Sequence, residues 1–341
     1  MKKRGFVIGM FLLVFFVFAA LAAPAEADKK MSKKAEKLMV KALKAINQKQ
    51  PDQAIDLLNQ VLVLAPENAV VHHNLGVLYF EKGMADQAIG KFEEALRLQN
   101  NYQNAQLALR QTLFEAGKDA SSKKNYEKAN GYLLKLDSLS RPDGEDKSML
   151  PYAQYLLGFN FFNLKQYQQA IDYFSKCQKN EGLEKENLAL YGRATYFLGM
   201  ASHILGQYDV SIDHFQKYLA AYAGSATQPE FLAQVNYFLG ANLFRQLEEK
   251  LTKGDVSKMS ESAQAILPYL NKAVEMKIST EDAYVMLGNC YVYIKDYDQA
   301  IKTYQQLCEL FPQSLQLKNY QDFLQELQKM KQQDQKPKKK R

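Results

Sequence analysis

Residues 69–100 read AVVHHNLGVLYFEKGMADQAIGKFEEALRLQN, and they contain the pattern that decides the fold. A Leu75-Gly76 pair lies in an apolar stretch, and Ala88 and Phe92 follow twelve and sixteen residues after the glycine. Residues four apart share one face of a helix, so Ala88 and Phe92 face the same neighbour. Small residues let two helices approach closely, and the aromatic side chain fills the groove between them. The stretch therefore predicts a helical hairpin.

The same pattern recurs along the chain at a fixed distance. Glycines at positions 76, 117, 158, 199 and 240 are 41 residues apart, and the next follows at 288, after 48 residues. A small residue and a larger apolar one follow most of these glycines: Ala129 and Leu133, Ala170 and Phe174, Ser211 and Phe215, Ala300 and Tyr304. Self-similarity at a fixed period indicates a stacked array of hairpins.

Seven hairpins are expected between Met31 and Pro312, including a weaker first unit that contains Ala42, Ala54 and Pro66. Seven residues make about two helical turns, so a helix can lengthen by seven without changing its facing. After Gly240 the equivalent of Ala88 is Ile266, which places extra residues inside that hairpin, around residues 252–262. An amphipathic segment after Pro312 predicts a capping helix. The expected fold is all-α: an α-α solenoid of about seven hairpins plus a C-terminal capping helix.

The hairpin pattern resembles the tetratricopeptide repeat, which puts Leu-Gly and Tyr on a first helix and Ala and an aromatic on a second. Residues 69–100 and 281–312 match most closely, through Leu75, Gly76, Tyr79 and Ala88, and through Leu287, Gly288, Tyr291 and Ala300. The resemblance implies a binding groove along the inner stripe of the first helices. Members that clamp a terminal carboxylate need Lys where Met39 and His73 stand, so that activity is not expected. Residues 215–226, FQKYLAAYAGSA, are similar to helix ends in bacterial envelope members of the family.

Large aromatic side chains mark the predicted inner stripe. Five equivalent positions, 41 residues apart, hold His73, Phe114, Tyr155, Tyr196 and Tyr237. Beside them lie Tyr152, Phe159, Phe162, Arg193, His203, Phe244 and Arg245. Tyr and Arg often dominate binding surfaces. Two interpretations stay open: the stripe binds a partner, or it only packs each first helix against the next.

The N-terminal residues predict export. Lys2, Lys3 and Arg4 precede an apolar run at residues 5–23, and Ala25-Glu26-Ala27 suits a signal-peptide cleavage site. The run also approaches the length that spans a bilayer, so residues 1–27 are interpreted as a signal peptide or a membrane anchor. The expected location is periplasmic, or anchored in the inner membrane facing the periplasm. Residues 28–331 are assigned to the solenoid and residues 332–341 to a basic disordered tail.

Positive charge is concentrated near the two ends. The net charge of +7 includes +2 from Lys2, Lys3, Arg4 and Glu26, and +5 from the cations of residues 336–341, so the remainder is neutral. Residues 28–44 hold seven Lys against Asp28 and Glu36, which leaves about −5 on the rest. This distribution argues against a nucleic-acid groove. The basic segments could contact a membrane or an acidic partner.

No motif for catalysis, a cofactor or a metal ion is found. Cys177, Cys290 and Cys308 have no paired spacing, so structural thiols are expected. The sequence predicts a non-enzymatic scaffold or adaptor in the cell envelope that binds partner peptides or helices of other proteins. An envelope solenoid that binds a glycan or a lipid is the alternative.

Overall fold

The computed structural model describes residues 31–139, 149–222 and 230–335, and all regular secondary structure in these ranges is α-helical. The predicted all-α class is therefore confirmed. Sixteen helices lie in the described residues: α1 Lys33–Asn47, α2 Pro51–Leu64, α3 Ala69–Glu81, α4 Ala85–Leu98, α5 Gln103–Ser122, α6 Tyr126–Leu139, α7 Leu150–Asn163, α8 Tyr167–Gln178, α9 Leu183–Glu186, α10 Leu188–Ile204, α11 Tyr208–Ala221, α12 Leu232–Thr252, α13 Met259–Glu275, α14 Glu281–Tyr293, α15 Tyr297–Leu310 and α16 Leu317–Asp334.

Six of the seven hairpins are held together by a glycine that faces one large side chain. A Cβ atom built on Gly76 would lie 2.6 Å from the Phe92 ring, closer than real contacts allow. The same arrangement pairs Gly117 with Leu133, Gly158 with Phe174, Gly199 with Phe215 and Gly288 with Tyr304, always sixteen residues apart. The recurring pattern is thus a contact between the two helices of one hairpin, as predicted.

Hairpin α12/α13 keeps this contact despite its extra length. Gly240 faces Leu270, and a Cβ on the glycine would lie 2.6 Å from that side chain. The two residues are 30 positions apart instead of sixteen, so fourteen residues are inserted inside the hairpin. The insertion extends α12 to 21 residues, against 13 in α3. Helix α5 also has 20 residues, but its extra residues precede Gly117, so the sixteen-residue spacing to Leu133 is kept.

Each hairpin turn contains one residue in the left-handed conformation. Glycine takes this position in three turns, at Gly83, Gly206 and Gly254, with φ between 73° and 79°. Lysine takes it in the other four, at Lys49, Lys124, Lys165 and Lys295, with φ between 55° and 63°. A left-handed residue ends a helix by turning the chain so that the last carbonyl groups still receive hydrogen bonds. Gly83 and Met84 donate such bonds to Phe80 and Tyr79.

The chain divides into two compact units, Met1–Leu156 and Leu157–Arg341, and the boundary falls inside α7. In the first unit, apolar residues of α1, α2 and α3 form one core, including Ala42, Leu58 and Leu75. In the second unit, Phe215, Tyr218 and Leu239 form a core between α11 and α12. Each hairpin therefore buries its apolar face against its neighbours in sequence, as stacked repeats do.

First-turn aspartates on the second helices connect successive hairpins. Asp86 of α4 pairs with Lys128 of α6 at 3.0 Å. Asp52 of α2 pairs with Lys82, Asp209 of α11 accepts from Gln246, and Asp298 of α15 pairs with Lys331. These side chains are largely exposed, so solvent screens each bond and its contribution to stability is small. The recurring aspartate thus interacts favourably with the positive end of its own helix, and it also helps to align the next hairpin.

Helix α16 closes the stack of the second unit. Leu327 is fully buried, and the Phe323 ring lies 5.0 Å from the Tyr304 ring. Its remaining face is polar, in agreement with the predicted capping helix. The helix ends at Asp334, and residues 336–341 of the predicted tail lie outside the described residues.

The predicted export segment at residues 1–27 also lies outside the described residues. Of the helices that are described, none combines the length and apolar character needed to cross a bilayer.

Candidate functional site

A groove in the first unit lies between the inner faces of α1, α3 and α5. The space between these faces is about 600 Å³, including the open solvent above them. Its apolar lining consists of Ile46, Val77, Leu78, Leu107 and Ala108. Its polar lining consists of His73, Asn74, Glu81, Asn104 and Gln111. The surface is mainly apolar with a few polar groups, which is the usual character of a binding groove.

The spacing of residues along each helix forms the groove. His73, Val77 and Glu81 follow one another at four-residue intervals, so they line one face of α3. Asn104, Ala108 and Gln111, at intervals of four and three residues, line one face of α5. Helices α4 and α2 pack behind these faces, which leaves the groove open on the other side.

His73 lies at the floor of the groove and is 4% exposed. Its Nδ1 atom lies 3.4 Å from Oδ1 of Asn74, and its ring lies 5.1 Å from the Tyr102 ring and 5.7 Å from the Phe92 ring. Burial lowers the pKa of the His73 imidazole below its ordinary value. The side chain is therefore neutral at pH 7, and it can offer a hydrogen bond but no charge.

Glu81 is the one acidic side chain of the groove lining, and it is exposed to solvent. Partial burial raises the pKa of its carboxyl group. No cation of the described residues pairs with Glu81. The adjacent Lys82 pairs with Asp52. A carboxylate without a partner at the edge of the groove favours a positively charged ligand group.

Two predicted stripe residues lie next to the groove in the first unit. Phe114 is one turn beyond Gln111 on α5, and its ring makes an edge contact with Tyr152 at 5.9 Å. Tyr152 stacks with Tyr155 at 6.1 Å. Phe114 and Tyr152 are partly exposed, whereas Tyr155 is 7% exposed. Phe114 and Tyr152 extend the apolar surface, and Tyr155 belongs to the core.

In the second unit most predicted stripe residues pack between helices. Tyr196 stacks on Phe231 at 4.0 Å and is 8% exposed. Phe159 and Phe162 make edge contacts with Phe197 at 5.6 and 5.3 Å. The exposed Arg193 pairs with Glu230 at 2.9 Å. These contacts connect α7, α10 and the start of α12.

The other stripe residues of this unit also have partners. His203 lies 2.6 Å from Asn242, which donates to Ser211, and Ser211 donates to the Gly199 carbonyl. Tyr237 contacts Phe238, and the buried Phe244 stacks on Tyr293. The Arg245 guanidinium lies over Tyr208 at 5.1 Å. The stripe thus packs consecutive first helices, and its role in binding stays a prediction.

The described residues hold no cluster of chemically reactive groups. In the described ranges no three His, Cys, Asp or Glu side chains converge as metal ligands. All three thiols are free, and burial raises the pKa of Cys177 and Cys290 to about 12. Such thiols are protonated and weakly nucleophilic at neutral pH.

Sequence reasoning identified only His73 of the ten groove residues and missed the other nine: Ile46, Asn74, Val77, Leu78, Glu81, Asn104, Leu107, Ala108 and Gln111. Val77 and Glu81 could have been found by counting four and eight residues from His73 along α3. The residues of α5 carry no such signal, because Asn104 and Gln111 look like ordinary surface positions until α5 packs beside α3.

Sequence models of the tetratricopeptide repeat match residues 45–90, 152–181 and 282–314. No protein with a curated description matches the chain significantly.

Many solved structures are similar in fold. One, from a functional characterization of Pseudomonas aeruginosa pilF, is 15% identical, with 75% of this chain and 97% of that chain covered and a TM-score of 0.41. YrrB, a TPR protein with an unusual peptide-binding site, is 16% identical, with coverages of 64% and 92% and a TM-score of 0.36. The P58(IPK) TPR domain is 14% identical, with coverages of 89% and 100% and a TM-score of 0.34. Because these identities and TM-scores are low, the likeness to the tetratricopeptide repeat rests on the matches to the sequence models.

Proposed function

Because this chain belongs to the tetratricopeptide-repeat family, we propose that it is a non-enzymatic scaffold that binds other proteins. The groove between α1, α3 and α5 carries the proposal, since it is an open, mainly apolar surface on one unit. Its lining supplies shape and hydrogen bonds but no set of converging reactive groups. Such a surface suits binding and not catalysis.

The lining also defines the chemistry of the partner. Leu107 and Val77 favour apolar side chains, while Asn74, Asn104 and Gln111 can both donate to and accept from a peptide backbone. Glu81 favours a lysine or arginine on the same partner, because it is the one charged group in the lining and lacks a cation. The proposed ligand is an apolar protein segment with one basic residue, bound as a helix or an extended strand.

We place this scaffold in the cell envelope, where it would hold components of a complex together. The support comes from the sequence: three cations, an apolar run at residues 5–23 and Ala25-Glu26-Ala27. Mass spectrometry of the mature N-terminus and cell fractionation test this location. A chain that starts at Met1 in the cytoplasmic fraction would contradict it.

Site-specific crosslinking tests the groove. A photo-crosslinking amino acid replaces Leu107 in the groove or, as a control, Val63 on α2, which is 83% exposed and outside the groove. We expect cells to yield a discrete protein adduct from position 107 and none from position 63. Equal adducts from both positions, or none from position 107, would contradict the groove.

Charge reversal tests the proposed basic residue of the partner. Glu81→Gln should weaken the position-107 adduct by up to about fivefold, the usual effect of removing one charge partner at an exposed position. Glu81→Lys should abolish it. Asp322→Lys, on the exposed face of α16, is the matched control and should leave the adduct unchanged. If Glu81→Lys leaves it unchanged too, the partner carries no cation at this point.

A further inference from the structure

Helix α1 presents a face that consists almost entirely of lysine. Lys33, Lys34, Lys37, Lys41 and Lys44 are all exposed and fall within about 100° of the helix circumference. Glu36, the one acid of this helix, lies outside that arc. We call the surface formed by these five lysines the basic face.

These lysines have no partners in the part of the chain that the structure describes. None of them is bonded to a described carboxylate or carbonyl group. The capping helix α16 differs: Lys318, Lys329 and Lys331 are balanced by Asp322, Glu326 and Asp334, and Lys331 pairs with Asp298. The excess charge is therefore specific to α1 and not a general property of terminal helices.

An apolar side chain lies at the border of the basic face. Val40 is 67% exposed, although valine is normally buried. A lysine-rich face with an exposed apolar residue at its border suits contact with an anionic membrane surface, although the main apolar face of α1 is buried in the core. There the amines contact phosphates, and the apolar group enters the boundary of the acyl chains.

The position of α1 in the sequence also favours contact with a membrane. The apolar run at residues 5–23 ends nine residues before Ser32, whose side chain caps α1. Nine extended residues reach about 30 Å at most. Any bilayer that holds the apolar run is therefore within reach of the basic face.

We propose that the basic face of α1 binds anionic phospholipid headgroups. Ile46, which lines the groove, is about 170° around the helix from the centre of this face. Binding to lipid would thus leave the groove turned away from the membrane and open to a partner. The proposal does not depend on what the groove binds.

Lysine footprinting on the full chain tests this surface. The chain is mixed with vesicles of phosphatidylcholine, alone or with about 30% phosphatidylglycerol, in about 0.1 M salt, and is pulsed with acetic anhydride. Mass spectrometry then gives the acetylation rate of each lysine. We expect Lys37, Lys41 and Lys44 to react about fivefold more slowly on the anionic vesicles, and about 0.5 M salt to remove the difference. Lys318 and Lys329 of α16 are internal controls and should not change.

A triple variant tests whether the lysines act together. In the natural chain Lys33 should also react more slowly on anionic vesicles. In the variant with Lys37→Gln, Lys41→Gln and Lys44→Gln, Lys33 should react equally fast on both vesicle types, because each lysine contributes about fivefold to binding. The double variant Lys318→Gln, Lys329→Gln should keep that protection. All of these side chains are exposed, so the fold is preserved.

Three outcomes would overturn the proposal: equal rates on both vesicle types, equal protection on pure phosphatidylcholine, or the same protection by soluble polyglutamate without vesicles. The last result would assign the basic face to an acidic protein.

Discussion

Each recurring glycine leaves room for one particular side chain of its own hairpin. In the hairpin α3/α4, Gly76 faces the buried Phe92 ring, whereas the exposed Gly90 has no atom within 4 Å of a built Cβ. Gly76→Ala should therefore destabilise the chain by about 1–3 kcal/mol, since the ring must move. Gly90→Ala should stabilise it by up to about 1 kcal/mol, because alanine is the better helix former.

Urea unfolding of both variants checks this pair in one hairpin. Equal effects of the two substitutions would show that the helices do not approach each other as closely as described.

The buried His73 makes the stability of the fold depend on pH. Burial lowers the pKa of its imidazole below the ordinary value of 6.5, so the unfolded chain binds a proton more readily than the folded one. The stability that comes from the neutral imidazole is complete above pH 6.5 and is lost as the pH falls towards the lowered pKa. We expect the melting temperature of His73→Gln to fall less than that of the natural chain between pH 7 and pH 5. Parallel curves would mean that His73 is solvated.

At the scale of single elements, the hairpin turns show a strain that substitution can relieve. Lys124 has a φ of 61°, a conformation that costs a non-glycine residue about 1 kcal/mol. Lys124→Gly should therefore stabilise the hairpin α5/α6 by up to about 1 kcal/mol.

The neighbouring Lys123 is the matched control for this turn, since its φ is −84°. Lys123→Gly should destabilise by a similar amount, because glycine gains freedom in the unfolded chain and the pair with Asp119 is lost. Thermal melts of the two variants should shift in opposite directions. A shift in the same direction would refute the left-handed assignment.

The left-handed positions of the hairpin turns follow a pattern that is visible in the sequence. Seven positions after five of the six recurring glycines the residue is Gly or Lys, as in Gly83, Lys124, Lys165 and Gly206. In the lengthened hairpin the equivalent is Gly254, fourteen positions after Gly240. Contacts within a hairpin require a given residue type at a fixed spacing, so the hairpins and the insertion before Ile266 could be predicted. The capping helix could be predicted from its amphipathic pattern.

The groove could be predicted only in part, because it depends on contacts between hairpins. Its floor residue His73 was identified from the 41-residue spacing, but the opposite wall comes from α5, where Leu107 and Gln111 have no distinctive pattern. Tyr155 and Tyr196 occupy the same register as His73 and are buried by Tyr152, Phe231 and other neighbours. Spacing defines the face of a helix, whereas exposure depends on what packs against that face.

At the scale of the whole molecule, the described contacts join hairpins that follow one another in sequence. Helices α3, α4 and α5 pack together, as do α14, α15 and α16, and their cores consist of residues from adjacent hairpins. In such an array the stability is a sum of repeat and interface terms, so a local defect need not spread. Gly76→Ala should therefore speed amide hydrogen exchange in α3, α4 and α5 and leave α14, α15 and α16 unchanged.

Hydrogen exchange read by mass spectrometry measures both regions in one sample, and Gly90→Ala is the control that should not speed exchange in either region. A uniform increase along the chain would mean that it unfolds as one cooperative body. In that case the first hairpins and the last hairpins would not unfold independently of each other.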